Sequence, residues 1–132
     1  MRVVFDSNIY ISALVIPGSQ ADRAFVRIFD GTDTLLISKP ILDEVLATLA
    51  RKFSRDPEML SQTAVILTEM AEVVKPEYAV SILKDDPDNR ILECAEAGQA
   101  ACIVSGDKAM LRLKRYKSIH LVSLREYLSG GE

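Results

Sequence analysis

Acidic residues stand directly behind two short apolar runs. Asp6 follows Val3, Val4 and Phe5, with Asn8 two residues on, and Asp107 closes the turn Ser105-Gly106-Asp107 after Cys102, Ile103 and Val104. A third acidic group is Asp85-Asp86-Pro87-Asp88-Asn89, and a fourth is the pair Asp43-Glu44. Each has an ordinary explanation. An Asp behind a strand caps the next helix, and an acid in a first turn complements the helix dipole. Yet residues 85–96 carry five acids against one base, Arg90, a density that costs stability unless solvent or a cation screens it. Drawn together, such carboxylates suit a hard, oxygen-seeking cation such as Mg²⁺ or Mn²⁺. The chemistry open to them is hydrolysis of a phosphodiester by metal-activated water.

Spacing does not choose within the fourth group. At 100° per residue, Asp43 and Glu44 lie about 60° outside opposite edges of the apolar stripe of their helix. Basic residues flank the acidic set. One cluster is Arg51, Lys52 and Arg55; the other is Lys108, Arg112, Lys114, Arg115 and Lys117, with no acid between 108 and 117. They read either as a solvated face or as phosphate contacts beside a metal site. Lys108 and Arg112 are four apart and share a helical face.

Other chemistries lack their residues. His120 is the sole histidine and falls in the middle of a strand, and Cys94 and Cys102 read as small buried hydrophobes. No nucleophile elbow precedes the histidine to build a Ser/His/Asp triad. Neither a dinucleotide fingerprint nor a P-loop is present.

The elements that must position these residues alternate. Apolar strands at 3–5, 35–37, 73–74, 102–104 and 119–122 are separated by helical patterns. Helices are expected from Asp6 to about Val15, from a Ser19/Asp22 capping box to Gly31, and from Pro40 through Phe53. Further helices run from Asp56 to about Glu72, from Asp88 as cap to Ala97, from Asp107 to about Arg115, and from Ser123 onward. Apolar rather than alternating strands imply a parallel sheet covered on both faces. The fold class is therefore α/β, in three layers, with a central parallel sheet of about five strands. Ligands of such sheets bind beyond the carboxyl ends of the strands, where Asp6, Ser38 and Asp107 fall.

The 132 residues are expected to form one domain over 1–132. A net charge of −3 argues against indiscriminate coating of nucleic acid. No apolar run approaches the ~20 residues of a membrane span, and Asp6 interrupts the first one too early for a signal peptide. Two cysteines without a framework point to a reducing, cytoplasmic compartment.

Four segments in order, VVFDSNIYISAL, SKPILDEVLATLARKF, DDPDNRILECAEAG and IVSGDKAMLRL, resemble the PIN-domain nucleases, and more narrowly their toxin-type branch. The resemblance covers about residues 2–128. It implies a flavodoxin-like α/β/α fold and a ribonuclease, expected to be an endoribonuclease, using Mg²⁺ or Mn²⁺. It implies Asp6, Glu44, Asp88 and Asp107 as metal-binding and catalytic residues, and on this pattern Glu44 is chosen over Asp43. Asn8 and Ser105 match supporting positions; Ser105 stands where Thr is commoner and keeps the hydroxyl. Lys108, Arg112, Arg51 and Lys52 become candidate RNA contacts. The toxin branch further implies a small antitoxin protein that fills the active-site groove, and a homodimer or higher homo-oligomer. The rival is a non-catalytic signalling or interaction module on the same fold. It lacks support from the acids: the chain has no paired acids after the first strand, and none of the four positions is lost.

Overall fold

The structure, a computed structural model, describes residues 1–130. In chain order it runs β1 (Arg2–Phe5), α1 (Ser7–Val15), α2 (Gln20–Phe29), β2 (Thr34–Ile37), α3 (Lys39–Phe53), α4 (Pro57–Met70) and β3 (Glu72–Val73). It continues with α5 (Asp86–Ala97), β4 (Cys102–Val104), α6 (Lys108–Leu113), β5 (Arg115–Tyr116), β6 (Ile119–Val122) and α7 (Leu124–Gly130).

The strands form one sheet in the order β3-β2-β1-β4-β6-β5. All neighbours are parallel except β5, which pairs antiparallel with β6. Val3, Val4 and Phe5 of β1, Leu35 and Leu36 of β2, and Ile103 and Val104 of β4 are fully buried. Successive side chains point to opposite faces, so uninterrupted burial means that helices cover both. On one face Phe5, Tyr10, Phe25 and Tyr127 pack edge to face, with ring centroids 5.2–6.2 Å apart, the geometry aromatic quadrupoles favour. Among the described residues no helix is long and apolar enough to cross a membrane.

Several boundaries differ from expectation. The sheet has six strands, because the helix after Asp107 stops at Leu113 rather than near Arg115. Lys114 takes a positive φ of 61°, which breaks the helix and turns Arg115 and Tyr116 into a hairpin edge. The third strand begins at Glu72, one residue early, although Val74 still donates to the Ile37 carbonyl. Asp85, not Asp88, is the cap of α5, and Asp88 lies inside its first turn. The Ser19/Asp22 capping box does not form: Ser19 makes no side-chain cap bond, and Asp22 accepts from Gly18 N–H instead.

One close approach matters for packing. A Cβ on Gly98, at the end of α5, would lie 2.6 Å from Leu36 Cδ1 in fully buried β2 and 3.3 Å from the Cys94 carbonyl. Because β1, β2, β4 and β6 run parallel, their carboxyl ends share one edge. The strand order reverses between β1 and β4, and a crevice at such a switch point is where open α/β sheets bind ligands.

Candidate metal centre

Asp6 leaves β1 at this switch point. Its N–H continues the ladder to the Val104 carbonyl at 3.0 Å. Its side chain caps α1, Oδ1 accepting from Ile9 N–H at 3.1 Å. The second oxygen accepts from the Ser105 hydroxyl at 2.5 Å and from Gly106 N–H at 3.2 Å. The two readings of Asp6 are therefore compatible: one oxygen caps, the other faces the turn after β4. Burial raises its carboxyl above the ordinary range; the Ser105 bond opposes this and the Asp107 charge adds to it.

Asp107 reaches the same edge by the same logic. Ser105 N–H bonds the Val122 carbonyl, so β6 holds the turn, and Ser105 Oγ accepts from Asp107 N–H at 3.0 Å. Asp107 Oδ1 caps α6 through Ala109 N–H at 2.8 Å.

Asp88 arrives from α5. It is 8% exposed, and its Oδ2 is buried with no hydrogen-bond partner among the described residues. Burial first, then a bond to Asp107 and the charges of Asp107, Asp85 and Asp6, push its carboxyl up to about 7. One oxygen each from Asp85, Asp88 and Asp107 lies within 4.8 Å of the others. Leu83, Lys84 and Ala109 complete the open cleft around them.

Glu44 lies one cleft over. It is half-buried beside Ser7, Pro40, Ile41, Asp86, Pro87 and Arg90, and stands outside the closest carboxylate group, as does Asp6. Asp43 is exposed and ion-paired with Lys39 at 2.8 Å. Of this pair, Glu44 lines the cleft beside α5. Asn8 is exposed, and among the described residues its side chain makes no hydrogen bond.

The basic residues separate. Lys108 is exposed beside Asp107, and Arg112 is exposed one turn on. Arg51 and Lys52 lie in the last turn of α3. With a rise of 1.5 Å per residue, Arg51 is about 10 Å farther along the helix axis than Glu44. Arg55 donates to the Leu14 carbonyl at 3.2 Å. The run from 108 to 117 is not one track. After Lys114 the chain turns into β5, and Lys117 pairs with Glu96 at 2.6 Å and lies over the Tyr78 ring. His120 is exposed on β6, whereas Cys94 and Cys102 are buried, with thiols pushed up by burial to about 12 and about 11.

The spacing of motifs missed the rim of this site. Asn89, 2% exposed, accepts from Leu83 N–H and donates to Leu83 C=O, both at 2.9 Å. Glu93 accepts from Val80 N–H at 2.7 Å, and Arg90 donates to Val80 C=O at 3.0 Å. Helix α5 thus grips the incoming segment 80–83 at both ends and fixes Asp85. Only the acidic density of 85–96 signalled the region.

The donor set fits a divalent cation. All candidate ligands are hard carboxylate oxygens, those of Asp85, Asp88 and Asp107 meet from two separate segments, and among the described residues the buried Asp88 Oδ2 has no hydrogen-bond partner. An unpartnered buried acceptor costs about 1–3 kcal/mol, which a cation would recover.

The PIN domain family model matches residues 2–109. The uncharacterised protein MJ1680 of Methanocaldococcus jannaschii is 24% identical over 132 aligned residues, covering 95% of this chain and 84% of that protein. The fold is similar to a chain in the crystal structure of VapBC2 from Rickettsia felis bound to a DNA fragment from their promoter. There the TM-score is 0.65 at 16% identity, over 93% of this chain and 98% of the other.

Proposed function

The chain belongs to the PIN domain family, whose members are generally metal-dependent nucleases, and on that premise we propose that it is a Mg²⁺- or Mn²⁺-dependent endoribonuclease acting as the toxin of a toxin–antitoxin pair. The observation that supports the reading is the meeting of Asp88 and Asp107 carboxylates at the sheet's switch point, with Asp6 linked to Asp107 through Ser105 and one buried Asp88 oxygen without a partner among the described residues.

In this reading Asp6, Glu44, Asp88 and Asp107 hold the metal and form the catalytic set within one domain, 1–132. The metal supplies charge neutralisation at the scissile phosphate and a more acidic water. The chain's own residues do the positioning. Ser105 Oγ and Gly106 N–H hold the second oxygen of Asp6 in place. One of the four carboxylates also orients the attacking water. Lys108, next to Asp107, and Arg112 contact phosphates on the approach. Arg51 and Lys52 belong to the same reading as distal contacts on a longer RNA.

A small antitoxin protein is the proposed partner, in line with the fold shared with the VapBC2 chain. Exposed apolar residues such as Phe29, at 69% exposure, and Ile66, at 54%, favour self-association as a dimer or higher homo-oligomer. The reducing cytoplasm is the proposed compartment. Incubation with a labelled single-stranded RNA, with Mn²⁺ or with EDTA, tests the core of the proposal. Cleavage that requires the metal is expected; unimpaired cleavage in EDTA would overturn it, and no cleavage in Mn²⁺ would favour the non-catalytic module.

A further inference from the structure

We infer that Asp85 is a direct ligand of the divalent cation, alongside Asp88 and Asp107; this rests on the metal-site part of the proposed function but not on the reaction. Of the candidate acids, only Asp85, Asp88 and Asp107 bring oxygens within 4.8 Å of one another. Within that group Asp88 is more than nine-tenths buried, and among the described residues its Oδ2 has no hydrogen-bond partner. An unpartnered oxygen in that position points to a ligand at the place where the three carboxylates meet.

Asp85 differs from the other capping acids of this chain. It occupies the N-cap of α5, yet its side chain makes no cap bond. Asp6, Asp56 and Asp107 each spend a carboxylate oxygen on an N–H of their own helix. Among the described residues Asp85 makes no ion pair, whereas its neighbour Asp86 is bonded to Arg90 at 3.2 Å. Its backbone is also anchored, since the doubly bonded Asn89 holds Leu83 two residues before it. A free carboxylate on an anchored backbone is what a ligand requires, because little ordering entropy remains to be lost on binding.

Mn²⁺ binding to the full chain, measured by titration calorimetry, tests this. Asp85 makes no side-chain cap bond, so Asp85→Asn removes none, and thermal melts in EDTA should stay near those of the parent. The variant should bind Mn²⁺ at least about tenfold more weakly. Asp86→Asn removes the same charge one residue away and should stay within about threefold of the parent, as expected for an exposed, screened charge. Parent-like affinity in Asp85→Asn overturns the inference. So does equal weakening in both variants, which would assign the effect to the general field, and so does a parent protein that binds no Mn²⁺. RNA cleavage in the same samples separates the two proposals. Binding that depends on Asp85 in a protein that cleaves no RNA leaves this ligand in place and removes the nuclease reading.

Discussion

The Ser105 hydroxyl donates to Asp6 Oδ2 at 2.5 Å across 99 residues of sequence, and its oxygen accepts from Asp107 N–H at 3.0 Å. One fully buried hydroxyl thereby links the carboxylate leaving β1 to the backbone of the acid that follows β4. The parallel register, Phe5 opposite Val104, makes this contact possible. The link is made by the hydroxyl, which a Thr at this position would also carry.

Ser105→Ala should leave Asp6 Oδ2 with the Gly106 N–H alone. Loss of a partner to a buried acceptor costs about 1–3 kcal/mol, so a lower melting temperature is expected. Partners that orient metal ligands are worth about 10–100-fold in metal affinity or activity. Ser105→Thr should restore both. Cleavage kinetics and thermal melts on the three proteins check this, and full activity in Ser105→Ala would reduce Ser105 to a packing residue.

Asp88→Asn should raise the melting temperature in EDTA while reducing cleavage by about 100-fold or more, the order of loss when one preorganised active-site group is removed. Asp88 is the acid whose charge is least supported, with an unpartnered buried oxygen and repulsion from Asp107, Asp85 and Asp6. Removing that charge relieves this repulsion. A clear fall in melting temperature would mean that Asp88 holds the fold together rather than straining it.

The same residue sets a pH dependence. The Asp88 carboxyl sits at about 7 in the folded chain, against an ordinary value of 3.8. Between these values the folded state binds more proton than the unfolded state, so this group's contribution to stability falls as pH rises from about 4 to about 7. Metal-free melts across that window should show the parent losing stability relative to Asp88→Asn as pH increases. Parallel curves would contradict the shifted carboxyl.

Lys108→Glu together with Arg112→Glu should weaken binding of single-stranded RNA. The salt slope should fall by about 0.7 for each phosphate that the protein no longer neutralises. Arg51→Glu with Lys52→Glu, farther along α3 from the acidic edge, should matter only for longer RNA. Affinities at several salt concentrations, with Ca²⁺ replacing Mg²⁺ to block cleavage, distinguish the pairs. An unchanged slope in the first pair would assign its charges to solvation.

Gly98→Ala probes packing apart from chemistry. The added Cβ would meet the Leu36 side chain at 2.6 Å and the Cys94 carbonyl at 3.3 Å, and Leu36 is fully buried. Overpacking of this kind costs about 1–3 kcal/mol. A lower melting temperature with unchanged metal affinity is expected, measured by calorimetry on the folded protein.

The alternation of apolar strands and capped helices made the parallel α/β fold legible from sequence, because strand burial and helical periodicity are local patterns. Asp6 and Asp107 were legible too, since an acid directly behind a strand of a parallel sheet must fall on the binding edge. What the sequence left open depends on contacts between distant segments. Glu44 lines a cleft between α3 and α5 while Asp43 pairs with Lys39 in solvent, and a helical wheel contains no neighbours. Asp85 and Asp88 are neighbours within the first turn of α5, but Asp107 meets them only because the fold brings the turn after β4 to that helix end. The basic run of 108–117 divides because Lys114 adopts a positive φ and Lys117 finds Glu96, 21 residues away. Spacing reports which residues can share a face; which of them share a site is fixed by packing, through distances that no single segment encodes.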